Sequence, residues 1–161
     1  MQMQHQLLST DSIAEKGLEK ARRNKDVVED ESMSNLIEDC DALFSRYIRI
    51  KYSNEQGMVT CYTSGVEMRY QDAHCGHFIS RKHLGLRWEE NNARPQSPFE
   101  NCNMHGNQKV FAQRLEQEKS GIVQWLEEQS RIVYSPTISE LKELKTDLAH
   151  RLNLVMSKLK H

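Results

Sequence analysis

No apolar run in the chain of 161 residues approaches the roughly 20 residues that a membrane-spanning helix needs. The N-terminus "MQMQHQLLSTDSIAEKG" lacks a basic stretch followed by an apolar one, so no secretory signal is expected and a cytoplasmic location is the default. The four cysteines, Cys40, Cys61, Cys75 and Cys102, show no CxxC spacing. In a reducing compartment that predicts free thiols rather than a disulfide framework. Neither charge is in excess: 22 Lys and Arg stand against 23 Asp and Glu, for a net charge of -1. That argues against a uniformly basic nucleic-acid binder and confines any DNA contact to one face. Internal repeats and low-complexity tracts are also absent. What is present is a soluble globular composition, 28% charged and 37% hydrophobic, at a length that suits one domain with appendages.

Along the chain, residues 1–33 are polar with mixed charge and little periodicity, and read as a flexible arm with at most a frayed helix. From Asn35, a candidate cap, Leu36, Leu43, Phe44, Tyr47, Ile48 and Ile50 recur at helical spacing to about Tyr52. "MVTCYTSG" and "VEMRYQDAH" predict two short strands around a turn, and "CGHFIS" a third. "LRWEENNARPQ" is a further extended piece in which Pro95 bars helix. A helix is expected from Glu100 or Asn101 to about Glu118, and a short one over "GIVQWLEEQSRIV". The last segment opens with Pro136 and the capping box Thr137 to Glu140. It then places Leu141, Leu144, Leu148, Leu152, Val155 and Leu159 at alternating three- and four-residue spacing. That stripe suits a helix packed on its own domain or a homodimer seam through residues 138–159. The predicted organisation is therefore an arm over 1–33, a domain with a leading helix over 34–135, and an amphipathic helix over 136–161. The fold class is α+β.

One segment is chemically dense. "HCGHFISRKHLGLRWEENNARPQSPFENCNMHGN" holds four histidines and five asparagines in 34 residues, with few apolar side chains to bury. Between His77 and Arg94, four Arg or Lys and His83 face only Glu89 and Glu90, a local basic stripe. The ligand-type residues fall as His77-x14-Asn92-x8-Asn101-x3-His105. On a continuous helix Asn101 and His105 share one face, one turn apart. They can then hold a divalent cation that His77 meets from a strand end. The chemistry that suits this is phosphodiester hydrolysis: a neutral imidazole takes a proton from water while a metal stabilises charge on the phosphate. Asn92 would orient His77 by a hydrogen bond, and Arg81 and Arg87 would clamp phosphates. Taken singly, each has a plainer role. His77 suits a half-buried strand, Asn92 and Asn101 suit turns and caps, and the arginines suit a solvated loop.

This spacing resembles the HNH, or ββα-metal, nuclease motif. "LFSRYIRIKYSNEQGMVTCYTSG", "GHFISRKHLGLRWEENN" and "HGN" more narrowly resemble the phage NinG / lambda Rap recombination family, over about Leu36 to Lys160. The resemblance implies a phage- or prophage-encoded endonuclease in the bacterial host cytoplasm. It would cut branched DNA such as Holliday junctions and D-loops, with Mg²⁺ or Mn²⁺. It implies His77 as general base, Asn92 as its orienter, and Asn101 and His105 as metal ligands. Arg81, Lys82, His83, Arg87 and Asn107 would lie near the DNA. Two features depart from the pattern. Relatives carry two CxxC pairs that hold a structural zinc, whereas this chain reads Cys61-Tyr62-Thr63-Ser64 and Ser97-Pro98-Phe99-Glu100. Serine is a poor zinc ligand, so an intact structural Zn²⁺ is not expected. Cys102, with Cys61, Cys75 and His74, remains a candidate for a residual site, with Cys61 and Cys102 foremost, and packing by Tyr62, Phe78, Trp88 and Phe99 is expected in its place. Many HNH enzymes also carry Asp or His before the base, where this chain has Gly76, leaving the third ligand open among Asp72, His74 and His83. A catalytically inactive DNA-binding relative, or an interaction protein assembling through its C-terminal helix, are the competing readings.

Overall fold

The computed structural model describes residues 32–159. The flexible arm expected over 1–33 lies outside the described residues except for its last two, and Met33 already belongs to a helix. That helix, α1 (Met33–Lys51), forms because Leu36, Cys40, Phe44 and Ile48 repeat every four residues and line one buried stripe, flanked by Tyr47 and Ile50. Arg49 and Lys51 fall in its last turn, where cations complement the carbonyl end. Two small antiparallel pairs follow. β1 (Met58–Thr60) pairs with β2 (Glu67–Arg69), Met58 facing Arg69. β3 (His74–His77) pairs with β4 (Ala93–Gln96), with His74 facing Gln96 and His77 facing Ala93. The connection between β3 and β4 contains two 3₁₀ turns, Leu84–Leu86 and Glu90–Asn92.

After β4 the expected single helix from Glu100 to Glu118 is not what forms. A π-helical turn covers Phe99–Asn103, and α2 starts only at Gln108 (Gln108–Glu118). Between them His105, Gly106 and Asn107 all take left-handed backbone, with φ of 50°, 79° and 46°. Three such residues in a row end any right-handed helix. Their conformation is held from outside: Gln96 Nε2 donates to the Gly106 carbonyl at 2.8 Å, and Asn107 Nδ2 donates to Glu100 Oε2 at 2.8 Å. α3 (Ile122–Gln129) then turns back on α2.

α4 (Ile138–Met156) begins with the capping box read from sequence: Thr137 Oγ1 accepts from Glu140 N, and Thr137 N donates to Glu140 Oε2. Its leucine stripe is covered within the chain. Leu148 and Leu152 are buried with Phe44, Tyr47, Ile48 and Ile50 of α1, and Leu144, Val155 and Leu159 pack on the same core. Lys145 bonds Asp39 at 2.7 Å and Lys158 caps the Lys51 and Ser53 carbonyls at the far end. The C-terminal stripe thus packs on its own domain and completes the main core, one of the two arrangements its spacing suited. A second core gathers Leu86, Phe111, Leu115, Ile122 and Leu126, with Tyr62 and Phe78 against the Phe111 ring. Trp88 packs on the first core. Phe99, expected to brace the hairpin, is instead 61% exposed. The architecture is α+β. Among the described residues no helix is long and apolar enough to cross a membrane.

Candidate functional site

One face of α1, strand β3 and the turn before α2 border a cleft of about 830 Å³. His77, Asn101 and His105 all line it, together with His74, Arg49 and Arg81. Their shared lining does not arise as the helical spacing implied. Asn101 comes from the π-helical turn and His105 from the left-handed bend, so the two do not share a helix face.

His77 is the most constrained of the three. Its ring lies 6.0 Å from the Phe44 ring. Its Nε2 sits 2.9 Å from the Arg87 carbonyl oxygen. A carbonyl only accepts, so Nε2 carries the proton and Nδ1 is the basic nitrogen of the neutral ring. Burial holds the imidazole below its ordinary pKa, helped by the Arg81 charge and opposed by the main-chain contacts to Arg87 and Cys75. A neutral ring at physiological pH is the state a general base needs.

Asn92 has a different role from the one expected. Fully buried, it accepts from Ile79 N at 2.6 Å and donates to the Ile79 and Leu86 carbonyls at 3.0 and 2.9 Å. Its side-chain bonds therefore go to the 79–86 loop and not to His77. It fixes the loop that delivers the Arg87 carbonyl, and so orients the imidazole through the backbone.

The basic stripe is also divided. Arg87 donates Nε and Nη2 to the two oxygens of Asp41, at 2.8 and 2.6 Å, a bidentate pair that Trp88 Nε1 joins at 2.9 Å. Arg94 is buried, paired with Glu118 at 2.5 Å and bonded to the Glu90 and Ala93 carbonyls. Arg87, expected at a phosphate, is thus paired with a carboxylate of its own chain, as is Arg94. Arg81, Lys82 and His83 remain exposed on the loop, Arg81 reaching Asp41 only at 3.4 Å. Asn107, expected near the DNA, bonds Glu100 and supports the bend.

The positions that carry zinc ligands in the resembling family form a hydrogen-bonded polar cluster here. Cys61 Sγ accepts from Ser97 N at 3.1 Å, Thr63 Oγ1 donates to Glu100 Oε2 at 2.8 Å, and Gln96 Nε2 donates to Thr63 Oγ1 at 3.0 Å. Burial pushes the Cys61 thiol up, but donors from Ser64, Ser97 and Thr63 outweigh it and bring it down to about 7. Cys102 faces His74 instead, Sγ to Nδ1 at 3.7 Å. Among the described residues no three His, Cys, Asp or Glu side chains gather as a metal cluster. Packing accounts for Gly76 before His77: a Cβ there would lie 2.1 Å from Gln96 Oε1. Of the three candidates for a further ligand, His74 lines the cleft, while Asp72 and His83 are exposed outside its lining.

One residue was not singled out from sequence. Arg49 lines the cleft and bonds the carbonyls of Ser45, Tyr70, Gln71 and Ala73, at 3.1 to 3.3 Å. Among the described residues none of its hydrogen-bond partners is a carboxylate, so its charge stays available to an anion in the cleft. Its position near the end of α1 gave no local signal, because the carbonyls that gather round it come from Tyr70, Gln71 and Ala73, in the connection between β2 and β3. No family model, curated protein or solved structure matches the chain.

Proposed function

We propose that the protein is a metal-dependent, structure-specific DNA endonuclease with a ββα-metal core, β3–β4 and the turn leading into α2, acting on branched recombination intermediates such as Holliday junctions and D-loops. One observation carries the reading: His77, Asn101 and His105, from a strand and from two unlike pieces of backbone, line a single cleft with Arg49 and Arg81. The resemblance to the NinG family points the same way.

The donors fit a divalent cation of the Mg²⁺ or Mn²⁺ kind. Asn101 supplies an amide oxygen and His105 an imidazole, and the open cleft leaves positions for water and phosphate oxygens. When bound, such a cation supplies positive charge to the scissile phosphate and the leaving oxygen. The rest falls to the chain. His77 Nδ1 takes a proton from the attacking water, while Nε2–H stays on the Arg87 carbonyl and keeps the ring in the basic tautomer. Asn92 holds the loop behind that carbonyl. Arg49, Arg81, Lys82 and His83 bind phosphates on either side.

The test is cleavage of a synthetic four-way junction in Mg²⁺ or Mn²⁺. The expected result is nicking that His77→Ala slows by about 10²- to 10⁴-fold while binding persists. Junction binding without cutting in either metal would replace this reading with a DNA-binding protein that has lost catalysis.

A further inference from the structure

At the rim of the cleft three side chains converge that the hydrolytic reading does not use together. His74 opens β3 and is held in register opposite Gln96. Its Nδ1 faces two consecutive residues of the π-helical turn, with Asn101 Nδ2 at 3.2 Å and Cys102 Sγ at 3.7 Å. Weak hydrogen bonds alone would account for such contacts. The distances also meet a stricter condition. A tetrahedral ion with bonds of about 2.3 Å to sulfur and about 2.0 Å to nitrogen or oxygen holds its sulfur and nitrogen donors about 3.5 Å apart. Its nitrogen and oxygen donors lie about 3.3 Å apart. The two separations from His74 Nδ1, 3.7 and 3.2 Å, lie within about 0.2 Å of these values. The amide oxygen and nitrogen of Asn101 exchange places by a half-turn, so Oδ1 reaches the position drawn for Nδ2. Cys102 is exposed and His74 half-buried, so an ion has access and one donor is already fixed.

We propose that His74 Nδ1, Cys102 Sγ and Asn101 Oδ1, with water in the fourth position, form a site for a thiophilic cation such as Zn²⁺. It is distinct from the Cys61 cluster and selects against Mg²⁺. Thiolate and imidazole favour Zn²⁺ and softer ions, whereas Mg²⁺ demands oxygen ligands in octahedral array. Binding releases the Cys102 thiol proton to solvent, and His74 coordinates as the neutral ring with its proton on Nε2. The site takes Asn101 away from the hard cation, so a thiophilic ion inhibits phosphodiester cleavage. That consequence rests on the endonuclease reading; the binding does not.

Co²⁺ titration of the full chain tests the binding by optical absorption. The expected result is a thiolate-to-Co²⁺ charge-transfer band that Zn²⁺ abolishes. Cys102→Ser should lack it, and His74→Gln should need at least about tenfold more Co²⁺, both with unchanged circular dichroism. No band, or one undiminished in Cys102→Ser, overturns the site. In a preparation that cuts junctions with Mg²⁺, Zn²⁺ should inhibit the wild type at concentrations about tenfold below those that inhibit Cys102→Ser. Equal sensitivity overturns the inhibitory role. A wild type that cuts nothing refutes the endonuclease reading, and the Co²⁺ band still decides the site.

Discussion

Helix α1 serves two neighbours held by unlike physics. Toward α4 it presents an apolar stripe in which Phe44, Ile48, Leu148 and Leu152 exclude water, with ion pairs only at the margin. Toward β3 and the Phe99–Asn103 turn it presents Asp41, Ser45 and Arg49. There the structure is fixed by a bidentate ion pair, buried amides and left-handed backbone. The seam gains its stability from many interchangeable contacts, so its sequence repeats. The cleft wall depends on single hydrogen bonds, each to one particular atom, so its sequence does not.

The comparison breaks most visibly at Leu148. An aspartate there would bury a charge among Phe44, Ile48 and Leu152, and the expected loss exceeds about 4 kcal/mol. Leu148→Asp should show no cooperative thermal transition at the wild-type temperature. A native melt would mean the α1–α4 seam is not closed. Gly76→Ala probes the cleft wall with one carbon. The new Cβ meets the buried Gln96 amide, which must leave Thr63 and the Gly106 carbonyl. A loss of about 1–3 kcal/mol is expected in denaturant titration. A neutral result would mean that Gln96 does not hold the bend.

The same contrast explains what the sequence made legible. The spacing of Leu36, Phe44 and Ile48, the Thr137–Glu140 capping box and the short strands are local signals, and each led to the right element. That His77, Asn101 and His105 line one cleft follows from β3, the π-helical turn and the left-handed bend, not from the shared helix face that the spacing implied. The break at His105–Asn107 was not legible, because residues 100–118 suit a helix until Gln96, from another strand, takes the Gly106 carbonyl. Asn92 and Arg87 have partners that the spacing did not show, for a related reason. Side chains suited to ligands and phosphates also suit backbone clamps and ion pairs, and only Asp41, 46 residues away from Arg87, decides between them.

The pH dependence sharpens the cleft side. An ordinary imidazole titrates near about 6.5, and burial holds His77 below that. Cleavage should therefore persist at pH values where an ordinary histidine would already be half protonated, and fail only further into acid. The stability effect has a definite sign. Above about pH 6.5 the ring is neutral folded and unfolded and contributes nothing. As pH falls through that value the unfolded chain takes up the proton first, so stability declines until the folded pKa is passed. Melting temperatures of wild type and His77→Gln should diverge across this window and run parallel above it. Parallel behaviour throughout would remove the burial argument for the base.

The smallest effect separates the two kinds of arginine beside the cleft. Each phosphate contact contributes about -0.9 to the slope of log affinity against log salt. Arg81 and Lys82, exposed on the loop, should each reduce the magnitude of that slope by about 0.9 when changed to alanine, with the melting temperature unaltered. Arg87 should behave oppositely. Its guanidinium already meets both oxygens of Asp41 and the Arg81 carbonyl, so Arg87→Ala strips Asp41 of its main partner and lowers the melting temperature. The salt slope should then change little, because no phosphate contact has been lost. A slope reduced as much by Arg87→Ala as by Arg81→Ala would mean that Asp41 releases its arginine when DNA binds. The cleft wall would then be a rearranging surface, and the contrast with the closed α1–α4 seam would deepen into one between a static and a switching face of the same helix.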